Sequence, residues 1–431
     1  MIMKRLICIA LTFALLCGAF VFGAMAAPIT VSEIDSSLYY AKAELAKLNN
    51  GDALVAAYEK IEAGVKNCET KIDVYDVSMP ITTDELSGVF AAFVNDQPQH
   101  FHLDRYNYSY SYYESGSEKI AADIILSYLI TKEQYAAAEK EFEIAASRIL
   151  ADIPTNLSQY ETELKIHDAL VKHIDYTLNA ENEHNAYGAI VNGKAVCDGY
   201  SKAFQYLLYQ RGIQSTVVEG EVVQSDSSSM GHAWSLVRID GKYYYTDVTH
   251  DDPVVAGKPK VQVFHNYFNI TESRMLRDRT AYETIYPLPA CINTDDFYFN
   301  KADNKLNNNH SVEEVANKLA AGNGIAHIFA DDADYGNWFF NNANSIYQII
   351  GLSTAKSFIY SVIDGEFVLM LICPNDINVD GEINSADVLA IKQGLVGVSE
   401  FDEAAVVNGD TNGNGVLDSI DYLTLKLEVV K

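Results

Sequence analysis

Gly193-Lys194-Ala195-Val196-Cys197-Asp198-Gly199-Tyr200 sets a cysteine between a small, turn-forming lead-in and a helical pattern. Ala203, Phe204, Leu207 and Leu208 recur at three- and four-residue spacing, and the run stops at Arg211-Gly212. The spacing puts Cys197 at or just before the first turn of a buried helix. A thiol there meets the positive end of the helix dipole and unpaired N–H groups, and both favour the thiolate. A lone buried cysteine is most often a small hydrophobe, so the reading depends on its company.

That company is Gly231-His232-Ala233-Trp234-Ser235-Leu236-Val237-Arg238-Ile239, then Asp240-Gly241, then Lys242-Tyr243-Tyr244-Tyr245-Thr246-Asp247. Asp-Gly between two strand-like runs signals a two-residue hairpin turn. Ile239 then pairs with Lys242, and counting back makes Trp234 face Asp247. His232 and Asp247 share one face as diagonal neighbours, about 7–8 Å apart at Cα. A carboxylate in that position can hold an imidazole. With Cys197 on a helix start, the three residues make a Cys-His-Asp arrangement of the kind used for nucleophilic catalysis.

Leu164 to Tyr282 resembles the bacterial transglutaminase-like domain. The residues that carry the likeness are Asn185 to Val191, Gly193 to Tyr200, Gly231 to Trp234, Tyr243 to Asp247 with Asp251-Asp252-Pro253, and Tyr267 to Thr271. The resemblance implies a papain-like α+β core in which Cys197 is the nucleophile, His232 its base and Asp247 the orienting group. His250 departs from the pattern, since the family more often has tryptophan before the acidic pair. The backbone N–H of Cys197 is the first expected oxyanion donor, with Tyr187 the candidate for a second and Trp234 a further residue of the substrate and oxyanion region.

The chain has 431 residues, nearly half of them hydrophobic, and a formal net charge of −28. Its length suits about two to four domains. The acidic balance argues against nucleic-acid binding or an anionic membrane surface. Lys4-Arg5, the apolar run Leu6 to Phe22 and Ala24-Met25-Ala26 read as a secretory signal over 1–27. No later segment is long and apolar enough to span a bilayer, so the protein is expected to be secreted, extracellular or held at a cell surface. Removal of Cys8 and Cys17 leaves Cys68, Cys197, Cys291 and Cys373, too few for a disulfide framework. Cys291 and Cys373 bracket one segment and could pair.

An N-terminal α+β region is expected over 28–152. Two helical patterns flank Asn49 to Asp52, and a helix starts at Thr82-Thr83-Asp84-Glu85. Phe101 to Tyr113 reads as strand, with Tyr106, Tyr108, Tyr110 and Tyr112 on one half-buried face. Glu118 to Leu129 reads as helix, and Thr131 to Gln134 as a capping box opening another. His100 and His102 are on one face but lack a third metal ligand. His167 and His173 read as ordinary helix residues. The catalytic domain occupies 153–290, and a small α/β module of unassigned role occupies 291–373.

Residues 374–431 hold an internal duplication. Asp376, Asn378, Asp380, Gly381, Glu382, Asn384 and Asp387 align with Asp410, Asn412, Asn414, Gly415, Val416, Asp418 and Asp421. Positions 1, 3 and 5 offer side-chain oxygens, glycine at 6 makes the sharp turn, and Glu382 and Val416 at 7 give backbone carbonyls. Asn384 and Asp418 stand among the ligands, and Asp387 and Asp421 close each loop. Such an oxygen-rich loop suits calcium. An EF-hand has Glu at position 12, so aspartate there departs from that pattern. An amphipathic helix follows each loop.

This segment resembles a type I dockerin over its whole length. The likeness implies two calcium ions and a cohesin partner on a scaffoldin, contacted through Ser385, Ala386, Ser419, Ile420, Lys392 and Lys426. The sequence therefore leads to a secreted thiol enzyme acting on protein amide bonds through a thioester, as peptidase, amidase or transglutaminase, docked to a scaffoldin. The alternative is a non-catalytic dockerin-borne binding subunit of a polysaccharide-degrading complex.

Overall fold

The computed structural model of the chain describes residues 34–430 except 224–227, 253–262, 303–304, 307–310, 323, 331–334, 353, 364–365 and 400. The leader expected at 1–27 lies outside the described residues.

The N-terminal region runs α1 (Tyr40–Leu45), α2 (Gly51–Lys66), β1 (Lys71–Asp73), α3 (Thr83–Asp96), β2 (Leu103–Ser115) and β3 (Glu118–Tyr128). Next come α4 (Lys132–Ala151), α5 (Gln159–His173), β4 (Asp175–Tyr176), α6 (Ala186–Ile190), β5 (Lys194–Ala195) and α7 (Cys197–Tyr209). The chain continues through β6 (Ser215–Val223), β7 (Ser229–Ile239), β8 (Lys242–Thr246), α8 (Glu272–Met275) and β9 (Arg279–Ala281). A further module holds α9 (Tyr298–Lys301), β10 (Lys305–Leu306), α10 (Val312–Ala321), β11 (Ile325–Ala330), α11 (Tyr335–Ile350), β12 (Ser357–Ile363) and β13 (Glu366–Ile372). The C-terminal segment is helical, with α12 (Ser385–Leu395), α13 (Glu403–Gly409) and α14 (Ser419–Val429).

The central sheet has the order β8-β7-β6-β9. His232 to Val237 of β7 are buried without alternation, as expected for a strand covered on both faces. Helix α7 lies on one face, with Phe204, Leu207 and Leu208 fully buried in a core shared with α5, α6 and Val237. Each such side chain contributes about 1.5–3 kcal/mol by leaving water. The other face packs Trp234 and Leu236 against Leu54, Ile61, Val89 and Phe93 of the N-terminal helices. The N-terminal region is thus one wall of the central sheet's core. At the β7–β8 turn Asp240 and Gly241 take φ of 47° and 85°, the left-handed pair of a type I′ turn, and Ile239 pairs with Lys242.

Three expectations are corrected. Glu118 to Tyr128 is a strand, paired antiparallel with β2 and β1 in the order β1-β3-β2. Its alanines and isoleucines have a helix-like spacing, but Ala122, Ile124 and Leu126 alternate into the core, and pairing overrides propensity. The tyrosines of β2 do not form one half-buried face. The register shifts between Ser111 and Tyr112, and Tyr106, Tyr112 and Tyr113 are exposed while Tyr108 packs on Phe90 at 4.5 Å between ring centres. Cys68, Cys197, Cys291 and Cys373 are all free thiols, so Cys291 and Cys373 do not pair. Among the described residues, no helix is long and apolar enough to cross a membrane.

Candidate active site

Cys197 is the first residue of α7. The preceding Val196 brings no side-chain acceptor to the helix start, and within the first turn Asp198 Oδ1 accepts the Gly199 amide at 3.1 Å. Gly199 is required there by close approach: a Cβ would lie 2.4 Å from the Glu183 carbonyl. The Ala233 amide of β7 and the Asp198 amide both act to lower the Cys197 thiol. Burial nevertheless pushes the thiol up to about 12, and the Asp198 and Asp247 charges add to the rise. The thiolate that the helix end was expected to favour is outweighed by desolvation, and the resting group is a thiol.

His232 is buried, and its Nε2 lies 2.7 Å from Oδ2 of the fully buried Asp247. Engagement of Nε2 leaves Nδ1 as the nitrogen able to take a proton. Burial lowers His232 from its usual range against the pull of Asp247, so the ring is neutral. Burial works to raise Asp247, but His232 and His250 hold it well below the carboxylate range.

Asp247 has further partners. His250 Nδ1 lies 2.8 Å from Oδ2 and 3.0 Å from His232 Nε2, and the His250 amide donates to Oδ1 at 3.1 Å. The buried Arg279 donates Nη1 to the same Oδ2 and Nε to Asp278 at 2.9 Å. Burial would lower His250, but Asp247 holds it above the usual value. The departure from tryptophan at 250 thus adds a second imidazole to the aspartate. Arg279 was not anticipated. A charged aspartate taken out of water demands a buried cation, but nothing in the spacing says which.

His232, Asp247 and His250 bring ligand-type atoms within 4.8 Å of one another, as do His167, Asp168 and His265. In the first group Arg279 already neutralises the shared oxygen. In the second, His167 is an ion-pair centre rather than an ordinary helix residue. Its Nδ1 lies 3.0 Å from Asp168 and its Nε2 3.1 Å from Asp251, and His265 Nε2 lies 2.9 Å from Asp168. His173 meets the Ile190 carbonyl at 2.9 Å. His102 meets the Val65 carbonyl at 3.2 Å, and with His100 it belongs to neither metal-type group.

The two outer candidates are not at the sulfur. Tyr187 donates its hydroxyl to Glu141 at 2.7 Å and packs on Phe101, so its donor is engaged on α4. Trp234 is fully buried under His232, with ring centres 6.1 Å apart and its indole nitrogen without a partner. It packs beneath the imidazole.

The two C-terminal loops have matching geometry. Asp376 accepts the amides of Asp380 and Gly381 at 3.1 and 2.9 Å, as Asp410 accepts those of Asn414 and Gly415 at 3.1 and 2.7 Å. Asp387 accepts the amides of Ile377 and Asn384, and Asp421 those of Thr411 and Asp418. Gly381 and Gly415 have φ of 91° and 85°. Burial raises Asp387, and the Asp376 charge adds to it. Crowded, partly desolvated oxygens of this kind fit a hard cation. Ser385, Ala386, Lys392, Ser419, Ile420 and Lys426 are exposed on α12 and α14.

A mixed helix-and-strand core of papain-like type with a helical calcium-loop tail is the class these features define. Residues 147–248 match the family model of the transglutaminase-like superfamily, and residues 374–429 that of the dockerin type I domain. The chain therefore carries a transglutaminase-like domain and a type I dockerin. No curated protein matches it. Among solved structures it is similar to a TGase crystal structure, at 16% identity and TM-score 0.24 over 35% of this chain and 45% of the other. A crystal structure of a putative cysteine protease from Cytophaga hutchinsonii is similar at 17% identity and TM-score 0.22, over 33% of this chain and 61% of the other. The chain thus spans less than two thirds of either structure.

Proposed function

We propose that this protein is a secreted thiol enzyme that acts on protein amide bonds and is carried on a scaffold by its dockerin. The observation that bears most weight is the 2.7 Å contact of His232 Nε2 with Asp247, on a hairpin whose Ala233 amide acts on the Cys197 thiol. The raised thiol and neutral imidazole support general-base activation in preference to a resting ion pair. As sulfur attacks the amide carbonyl carbon, the thiol proton passes to His232 Nδ1. The uncapped N–H of Cys197 stabilises the oxyanion. Collapse breaks the C–N bond, His232 returns the proton to the leaving nitrogen, and a thioester remains. Water or a primary amine then takes the acyl group. Asp247 keeps the proton on Nε2 and the lone pair on Nδ1. With water abundant outside the cell, hydrolysis is the favoured outcome.

Asp376, Asn378, Asp380, Glu382, Asn384 and Asp387, with their counterparts Asp410, Asn412, Asn414, Val416, Asp418 and Asp421, are the ligands for two calcium ions. Bound calcium supplies the charge that holds each loop folded. The exposed helix positions named above form the cohesin face, and a cellulosome-type assembly outside the cell is the setting a dockerin implies. Incubating a protein mixture and a primary amine with wild type and Cys197→Ala tests the reading by mass spectrometry. Cysteine-dependent cleavage marks a peptidase, amine incorporation a transglutaminase, and deamidation a glutamine amidase. Identical spectra from both proteins would return the chain to a binding role.

A further inference from the structure

Beside Asp198, the neighbour of Cys197, a cavity of about 340 Å³ opens between α3, the start of β2 and the 180–185 loop. Phe93, Leu129 and Ile130 give it apolar walls, while His100, Arg105 and Lys202 bring nitrogen donors to it. Their bonding is incomplete. Lys202 is only 5% exposed, pairs with no carboxylate among the described residues, and its Nζ reaches the His184 carbonyl at 3.4 Å. Arg105 binds Glu219 through Nη2, but its buried Nη1 has no hydrogen bond and is 3.8 Å from Asp198. His100 is 6% exposed, and neither ring nitrogen has a partner.

Asp198, Glu183 and Asp104 have other partners, and Glu181 of the lining is exposed. Asp198 accepts the Tyr106 hydroxyl at 3.0 Å and faces His184 Nδ1 at 3.0 Å. Glu183 accepts the Ala180 amide at 2.7 Å, and Asp104 the Tyr106 amide at 3.2 Å. Two adjacent cations, one without a carboxylate partner, are buried where a polar group needs a partner to be stable. A neutral amide could accept one hydrogen bond but would leave the like charges facing each other. Burial, with Arg105 second, pushes the Lys202 ammonium down to about 7. Lys202 follows Cys197 on α7, and Asp198 meets Tyr106 and His184 of the cavity lining, so the cavity adjoins the helix start that carries the thiol.

We propose that this cavity is a substrate subsite for a carboxylate on an apolar stem, an acidic residue of a peptide beside the amide that Cys197 attacks, with Lys202, Arg105 Nη1 and His100 as its donors. The proposal rests on Cys197 being the nucleophile. Two reagents separate the claims: the chloromethyl ketones of N-acetylglutamate and N-acetylglutamine. Each alkylates the thiol with formation of a C–S bond, loss of chloride and transfer of the thiol proton to His232. Rates of Cys197 labelling are followed by mass spectrometry and normalised to N-acetylcysteine. A charge-assisted contact predicts a glutamate-to-glutamine ratio of about ten. Lys202→Met should bring the ratio near one, and Arg105→Gln serves if that variant does not fold. Labelling by both reagents with a wild-type ratio of one or less would overturn the subsite alone. Labelling by neither would overturn the nucleophile and the subsite together.

Discussion

Asp247→Asn separates the electrostatic role of Asp247 from its catalytic one. The side chains of Asp247 and Arg279 are both fully buried. Removing the Asp247 charge leaves the desolvated Arg279 with only the partly exposed Asp278 to pair with, a cost approaching the about 3–5 kcal/mol of an orphaned buried charge, against about 0–1 for an exposed pair. At about 2–4 °C per kcal/mol the catalytic unit should melt roughly 6–20 °C lower. Adding Arg279→Met removes the orphaned cation and should restore most of that loss. Reactivity should not return. Asparagine can present an N–H to His232 Nε2, which moves the ring proton to Nδ1 and blocks uptake of the thiol proton. The same substitution in a Ser-His-Asp triad costs roughly 10⁴ in rate. Thermal melts, with iodoacetamide labelling of Cys197 compared against Cys68, read both effects. If the double variant regains stability and labels like wild type, Asp247 does not orient the base and the reasoning fails.

Other consequences can be tested singly. His250→Phe removes a positive neighbour that, after burial, helps lower His232. The His232 titration followed by NMR should move to higher pH, and an unmoved curve would rule out the coupling. Glu163 is pushed up to about 8 by burial, while Asn269 Nδ2 donates to it at 2.7 Å. A raised carboxyl gives stability that is present below its unfolded pKa, near 4.5, and lost as pH rises through about 8. Glu163→Gln should therefore stabilise by roughly 2–4 kcal/mol at pH 9 and little at pH 4, measured by denaturant melts. Asp410→Ala or calcium chelation should unfold the second loop and abolish cohesin binding while Cys197 labelling stays unchanged. Retained binding would remove calcium from the account.

Features written in local pattern were legible. The Asp240-Gly241 turn sets the β7–β8 register by count, and that register brings His232 to Asp247. The capping box at Thr131 is formed by Gln134, because its bonds close within three residues. The C-terminal duplication shows its loop geometry for the same reason. Where tertiary pairing decides, pattern misled: β3 has helix-like spacing, and the β2 tyrosines differ in exposure, Tyr106 open while Tyr108 packs on Phe90. The Cys197 thiol was misjudged because a helix end is visible in sequence and burial is not. Arg279 and the Asp168, Asp251 and His265 partners of His167 come from distant segments, which no window of sequence brings together.

The central claim is that Cys197 carries the acyl group during turnover. Acid quenching of the wild-type protein with a protein mixture, followed by peptide mapping, tests it most directly. The account predicts a hydroxylamine-labile acyl adduct on the Cys197 peptide, absent from Cys68, Cys291 and Cys373 and lost in His232→Ala. Products that form at the same rate in Cys197→Ala, with no adduct on the wild-type peptide, would contradict it.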